Sequence, residues 1–167
     1  MQHFHEITPE ELENVCRLFG KDWALLTAGA GDAVNTMTVS WGGVGILWNK
    51  PVALCFVRPQ RHTYTLIEGE EHLSLSFLDE QYRDALRLCG SKSGRDLNKF
   101  EAAGLTPVLE KTTPFVGEAR LVLLCRKLYA DDLEAGNFLD SSLLSHYKAN
   151  DFHRMYICEI EHALVRD

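Results

Sequence analysis

The chain reads as a mainly β protein of the α+β class: a small, mostly antiparallel barrel with peripheral helices. Three observations predict it. Segments with strand-like alternation or short apolar runs recur along most of the sequence, whereas helical patterns are short. The order runs helix, several strands, two or three helices, then strands, so only one strand–helix–strand crossover, over residues 52–78, is plausible. The 167 residues fit one domain, 1–167, with a sizeable core, and no internal repeat, low-complexity tract or linker divides them. A doubly wound parallel sheet fits that order poorly, and an antiparallel barrel fits it well.

The elements follow in order. In TPEELENVCRLFG, Thr8 caps a helix, Pro9 takes its first position, Glu11 completes a capping box and Gly20 stops it. Ile7, Leu12, Val15, Leu18 and Phe19 form its apolar stripe. DWALLTAG is a strand ending in the turn GAGD. NTMTVSW alternates, with Thr36, Thr38 and Ser40 on one face and Asn35, Met37, Val39 and Trp41 on the other. GGVGILWNKP is a glycine-interrupted segment, with Pro51 before the next strand. VALCFVR is a continuous apolar run, a strand buried on both faces. HTYTLIEGE is a short helix capped by His62 or Thr63. HLSLSFL is a strand with Leu73, Leu75 and Phe77 opposite Ser74 and Ser76. Residues 79–89 form a helix from Asp79, with Tyr82, Leu86 and Cys89 at helical spacing, and GSKSGRD is a loop. DLNKFEAAG is a short helix stopped by Gly104, ARLVLLCRKLYA a strand, NFLDSSLLSHYKA a helix, and RMYICEIEHALV the closing strand.

The bulk numbers exclude several functions. A net charge of −7 argues against nucleic-acid or anionic-membrane partners, which want a basic face. No apolar run approaches the roughly 20 residues of a membrane span. MQHFHEITPEE lacks the basic and apolar regions of a secretory signal. The five cysteines, odd in number and without a C-x-x-C pair, read as reduced thiols in a cytoplasm, mostly core filler, and a structural zinc site is not expected. His3 and His5 share a strand face, but a mobile terminus is the simpler reading.

Against that acidic background two positive islands stand out. Arg58, Arg61 and His62 fall at the end of a strand and the start of a helix, and Lys92 and Arg95 lie in the Ser/Gly loop SKSGR. A phosphate dianion needs charged or hydroxyl donors to replace its water, and a helix N-terminus supplies free N–H groups. Arg61 and Thr63 at one island, and Ser91, Lys92, Ser93 and Arg95 at the other, offer such donors. The loop is not a P-loop, because Gly90 stands one residue before Ser91 and a helix precedes it. GGVGILW likewise lacks dinucleotide-fold spacing. The hydroxyl strand suits the polar edge of a planar heteroaromatic ligand, with Trp41 or Trp48 as its wall, or equally an edge strand whose hydroxyls face water.

Taken together, NTMTVSWGGVGILWNKP, RPQRHTYTLIE and SLSFLDEQYRDALRLCGSKSGRD strongly resemble the flavin reductase-like family of FMN-binding split-barrel proteins, its flavoredoxin-type branch in particular, over roughly residues 15–165. HRMYICEIE resembles the family's final barrel strand, with Cys158 where a glycine is usual. The resemblance implies a Greek-key split β-barrel forming a homodimer, with one FMN per subunit near the interface. It implies that Asn35, Thr36, Met37, Thr38, Val39, Ser40 and Trp41 bind the isoalloxazine or ribityl part. Arg58, Gln60, Arg61 and Thr63 would approach the ribityl and phosphate, and Ser91, Lys92 and Ser93 the phosphate. His153 would contact the nicotinamide or flavin ring. The implied activity is NAD(P)H-dependent flavin reduction, a hydride passing from NADH or NADPH to the flavin with no side chain needed as general base. The alternative is a flavoredoxin-like electron carrier working with a redox protein partner; a PLP- or haem-handling barrel is a third reading. Cys89, close to the loop, is expected to be a structural thiol.

Overall fold

The structure, a computed structural model, describes residues 3–110 and 113–167. Its main sheet has eight strands: β1 (Phe4–Ile7), β2 (Ala24–Ala28), β3 (Asn35–Val39), β4 (Gly42–Leu47), β5 (Lys50–Val57), β6 (His72–Phe77), β9 (Leu121–Asp132) and β10 (Arg154–Arg166). The spatial order is β3-β2-β6-β9-β10-β5-β4, with β1 on the far half of β10, and every pairing is antiparallel. A separate hairpin, β7 (Pro107–Glu110) with β8 (Thr113–Val116), packs beside β6.

The order itself requires a barrel. The edge strands β3 and β4 are consecutive in the chain and joined only by Ser40 and Trp41. Laid flat, six strand spacings would separate them by about 29 Å. Two linking residues reach about 11 Å. The sheet must therefore roll until its edges meet, which brings the end of β3 beside β5. Inside the roll lie Leu26, Met37, Val57, Leu73, Phe77, Leu123 and Tyr156, and a second core forms outside it from Leu25, Leu86, Phe100, Phe115 and Val122. The predicted mainly β class with an antiparallel barrel and peripheral helices is what the chain adopts.

Three helices carry the site. α2 (His62–Gly69) starts from Arg61 as its cap residue, one position before the predicted one. α3 (Arg83–Ser91) buries Leu86 and Cys89, and the turn Glu80–Tyr82 precedes it. α4 (Lys99–Ala103) is capped by the Asn98 side chain, which accepts from Phe100 N and Glu101 N at 3.1 and 3.3 Å, and ends at Gly104 with φ 65°.

Several expectations are corrected. The helix expected over residues 8–20 is broken. Its capping box forms, with Thr8 N donating to Glu11 at 2.8 Å, but that opens only the turn Pro9–Glu11. Asn14 then takes a left-handed conformation (φ 53°), and α1 (Val15–Arg17) runs into a π-helical stretch, Leu18–Asp22. A short helix is marginal without packing, and the break turns Leu18 and Phe19 into the core. The glycine-interrupted segment GGVGILW is β4, because pairing with β5 overrides its glycines. Trp48 and Asn49, both at positive φ, make the two-residue hairpin turn. β5 alternates rather than being buried on both faces, leaving Leu54 and Phe56 half-covered. Residues 137–149 are not an α-helix but contain the 3₁₀ turn Ser141–His146, preceded by another at Ala135–Asn137.

The hairpin β7–β8 was not anticipated, and it explains the serines of β6. Ser74 donates to the Pro114 carbonyl at 2.7 Å, and Ser76 accepts from Val116 N at 3.2 Å, so the polar face of β6 is buried under β8. The N-terminal segment is ordered as β1 rather than mobile, with His5 on Asp167 at 2.7 Å. Among the described residues no helix is long and apolar enough to cross a membrane, and no group of side chains could hold a metal ion.

Candidate functional site

Rolling the sheet places the polar end of β3 against β5 and the starts and ends of two helices. Two hollows adjoin there. The first, about 240 Å³, is lined by Met37, Thr38, Val39, Ser40, Trp41, Phe56, Arg58, Arg61, Gly90 and His153. The second, about 150 Å³, is lined by Gln60, Arg61, His62, Thr63, Ser91, Lys92, Ser93 and Lys99. Arg61 lines both, and the consecutive residues Gly90 and Ser91 line one each.

The two cationic islands, about thirty residues apart in sequence, are thus one surface. Reciprocal hydrogen bonds join them: Arg61 Nη2 donates to the Gly90 carbonyl at 2.8 Å, and Arg95 Nη1 donates to the Gln60 carbonyl at 3.2 Å. Both partners are backbone carbonyls, so neither guanidinium is neutralised by these bonds. Burial, then the charge of Arg58, pushes the Arg61 pKa down, as expected of cations gathered without carboxylates.

Arg58 differs. It pairs with Asp151, donates to the His146 carbonyl at 3.0 Å and lies over the Tyr147 ring at 5.2 Å. Gln60 Nε2 also donates to Asp151, at 2.9 Å. The Arg58 hydrogen bond holds the Asp151 carboxyl below its usual range. These contacts tie the segment 133–153 to the end of β5 beside the first hollow, and its ends are pinned by Leu133 N donating to the His153 carbonyl at 2.9 Å.

His153 is buried, with its Nδ1 hydrogen-bonded to the Tyr147 hydroxyl at 2.9 Å. Burial, then Arg58, lowers its pKa to about 4, so the imidazole is neutral at physiological pH. Its ring lies 5.2 Å from that of Trp41, and His146 stands edge-on to Trp41 at 5.3 Å.

The residues of the hydroxyl strand divide. Met37, Thr38, Val39, Ser40 and Trp41 line the first hollow. Asn35 and Thr36 line neither. Asn35 is buried and donates to Thr63 Oγ1 at 2.9 Å, fixing β3 to the start of α2. Thr36 is fully buried, bonded to Thr27 at 3.0 Å and to the Leu26 carbonyl at 3.2 Å. Thr38 donates to the Leu86 carbonyl of α3. The hydroxyl of Thr36 therefore serves strand packing, whereas Thr38 bonds α3 and still lines the first hollow. Trp41 is the aromatic wall, whereas Trp48 lies at the β4–β5 turn away from both hollows. Cys158, fully buried in the core, lines neither. Cys89 is buried and its thiol pKa raised by burial, as expected of a structural thiol.

Some residues were missed. Lys99 is 3% exposed, yet lines the second hollow. Gly94 approaches so closely that an added Cβ would lie 2.5 Å from Asn35 Oδ1. Phe56, Tyr147 and Asp151 carried no motif. A larger hollow of about 370 Å³ lies under the N-terminal segment, but its Arg17 and Arg120 pair with Asp22 at 3.4 and 2.6 Å, so it lacks the free cations of the first two.

Comparison with known proteins agrees with this geometry. The flavin reductase like domain family matches residues 16–167. No curated protein matches significantly. Among solved structures, an FMN-binding domain of a flavin reductases-like enzyme from Shewanella baltica superposes with TM-score 0.72 at 16% identity, covering 98% of this chain and 78% of that one. Flavoredoxin of Desulfovibrio vulgaris gives 0.69 at 21% identity, covering 93% and 74%. A putative flavin reductase with split barrel domain from Shewanella frigidimarina gives 0.69 at 21%, covering 95% and 77%. The rolled antiparallel sheet is thus a split barrel, and the family match over all but the first 15 residues means that the chain belongs to the flavin reductase like domain family.

Proposed function

We propose that the protein is an FMN-binding oxidoreductase, an NAD(P)H-dependent flavin reductase that takes a hydride from nicotinamide. The observation that supports it best is the junction of two cationic islands, whose Arg61 and Arg95 bond backbone carbonyls rather than carboxylates, with an aromatic-walled cleft shared at Arg61. The donor set fits the cofactor. Arg61, Thr63, Ser91, Lys92 and Ser93 suit a phosphate monoester, each charge-assisted bond contributing about 1.5–3 kcal/mol. Trp41, Phe56 and the neutral His153 suit a flat ring. When bound, FMN supplies the hydride-accepting chemistry.

The protein's part is positioning. Arg58, which lines the ring cleft, is held in place by Asp151, and Gln60 is held by the same carboxylate. His153, kept neutral, offers a face without charge to a nicotinamide, and no proton transfer by a side chain is required. Trp41 is 46% exposed, which leaves the mouth of the cleft accessible to that donor. The exposed apolar side chains Ile46, Leu47 and Trp48 along β4 support a homodimer at this edge.

The same accessible Trp41 and apolar edge also support a second reading, a flavoredoxin-like carrier exchanging electrons with a redox protein. The test is direct. The purified protein is expected to show a flavin spectrum and to release FMN on denaturation. Stopped-flow mixing with NADH or NADPH is expected to bleach the flavin band rapidly. Slow bleaching beside fast reduction by a protein partner would favour the carrier, and a colourless protein that takes up no FMN would refute both readings.

A further inference from the structure

Lys99 is a buried cation to which the preceding reading gives no task. Its ammonium donates to the Thr36 carbonyl of β3 at 3.0 Å and the Cys89 carbonyl of α3 at 2.8 Å. An ammonium has three donors, so these bonds leave one over, and the residue lines the hollow shared by Arg61, Thr63 and Lys92. A buried charge is costly unless countered, and carbonyl dipoles supply no full negative charge. We propose that Lys99 is the proton-linked anchor of the phosphate end of the cleft: its ammonium recognises a phosphate monoester dianion, and binding of that ligand takes up a proton at Lys99. The identity of the ligand as FMN rests on the reading above; the linkage does not.

The surroundings fix the sign. Facing Lys99 are Arg61 and His62 from the start of α2 and Cys89 and Lys92 from α3 and its end, with Arg95 of the following loop acting on His62, while the facing strand β3 brings no titratable side chain. Glu101 on α4 itself is exposed. The Cys89 thiol is pushed up by burial, and His62 is pushed down by burial and by the charges of Arg95 and Lys99. Neither shift adds a charge beside Lys99 at neutral pH. Burial first, then Arg61, lowers Lys99 to about 8. A neighbouring dianion raises it again. Above that pH the free protein has lost the proton that the complex holds, so affinity falls by up to about tenfold per pH unit. The phosphate does not titrate there, since its second pKa is about 6.

The test titrates the full chain with FMN and with riboflavin from about pH 7 to about pH 9.5. Riboflavin shares the ring but not the phosphate, so it corrects for ionisation of the ring. The preference for FMN over riboflavin is expected to fall by up to about tenfold per unit above about pH 8, and calorimetry in two buffers of different ionisation heat is expected to show proton uptake with FMN and none with riboflavin. Lys99→Met is expected to cut the preference by about tenfold or more and to remove its fall above about pH 8, while leaving riboflavin binding within about threefold. Lys99→Arg is expected to keep the preference but flatten its pH profile, since a guanidinium stays charged. Lys92→Met should leave the slope in place. A flat profile without proton uptake in the natural protein overturns the proposal, as does Lys99→Met weakening both flavins equally, the outcome for a merely structural lysine. Failure of both flavins to bind would instead overturn the FMN reading; inorganic phosphate titrated in the same buffers then decides the proposal by the presence or absence of the linked proton.

Discussion

Arg61→Met is expected to weaken FMN binding about a hundredfold, while riboflavin binding falls far less. One charge-assisted hydrogen bond contributes about 1.5–3 kcal/mol, and about 2.7 kcal/mol corresponds to two decades in affinity. Arg61 also holds the Gly90 carbonyl at 2.8 Å, so its loss frees the end of α3 that presents Ser91 and Lys92. Arg61→Lys should recover only part, because an ammonium keeps the charge but not the fork that can reach ligand and carbonyl together. Fluorescence titration of both flavins checks it, with circular dichroism to verify the fold. Unchanged FMN affinity would remove Arg61 from the phosphate site and with it the junction on which the functional reading rests.

Much of this was legible because local chemistry and tertiary role coincide. The basic residues of RPQRH and SKSGR are unusual in a chain of net charge −7, and the fold brings the two clusters together. Leu73, Leu75 and Phe77 alternate, and they do face the core. What stayed hidden depends on partners remote in sequence. Lys99 in NKF looks like any solvated helix lysine; its burial is created by carbonyls of Thr36 and Cys89. The hydroxyl of Thr36 read as facing a ligand or water because Thr27 could not be foreseen opposite it. Asp151 lies in an irregular segment with no periodicity, and only the fold brings Arg58 and Gln60 to it. The glycines of β4 kept it from reading as a strand because propensity is local, whereas its pairing with β5 is not.

Phe77→Ala is expected to remove about 3–5 kcal/mol of stability, a large part of the 5–15 kcal/mol typical of a domain. Phe77 is fully buried, with its ring edge-on to Phe19 at 5.5 Å. Its backbone is paired on both sides, opposite Ala24 of β2 and Leu121 of β9, so the strands cannot close over the void. Phe19 could fill it only by leaving its seat against Gly42, where an added Cβ would lie 2.7 Å from the Phe19 ring. That seat is at the seam, directly after Trp41, so filling one gap would open another. The void therefore persists, which places the cost in the upper part of the range for large-to-small changes. Phe77 lines neither hollow, so FMN affinity of the folded protein should stay within about threefold, separating support of the barrel from contact with ligand. Urea unfolding followed by tryptophan fluorescence measures the first quantity and flavin titration the second. A loss below about 1 kcal/mol would mean that the core collapses around the deletion. A collapse of FMN affinity at unchanged stability would mean that Phe77 shapes the site itself.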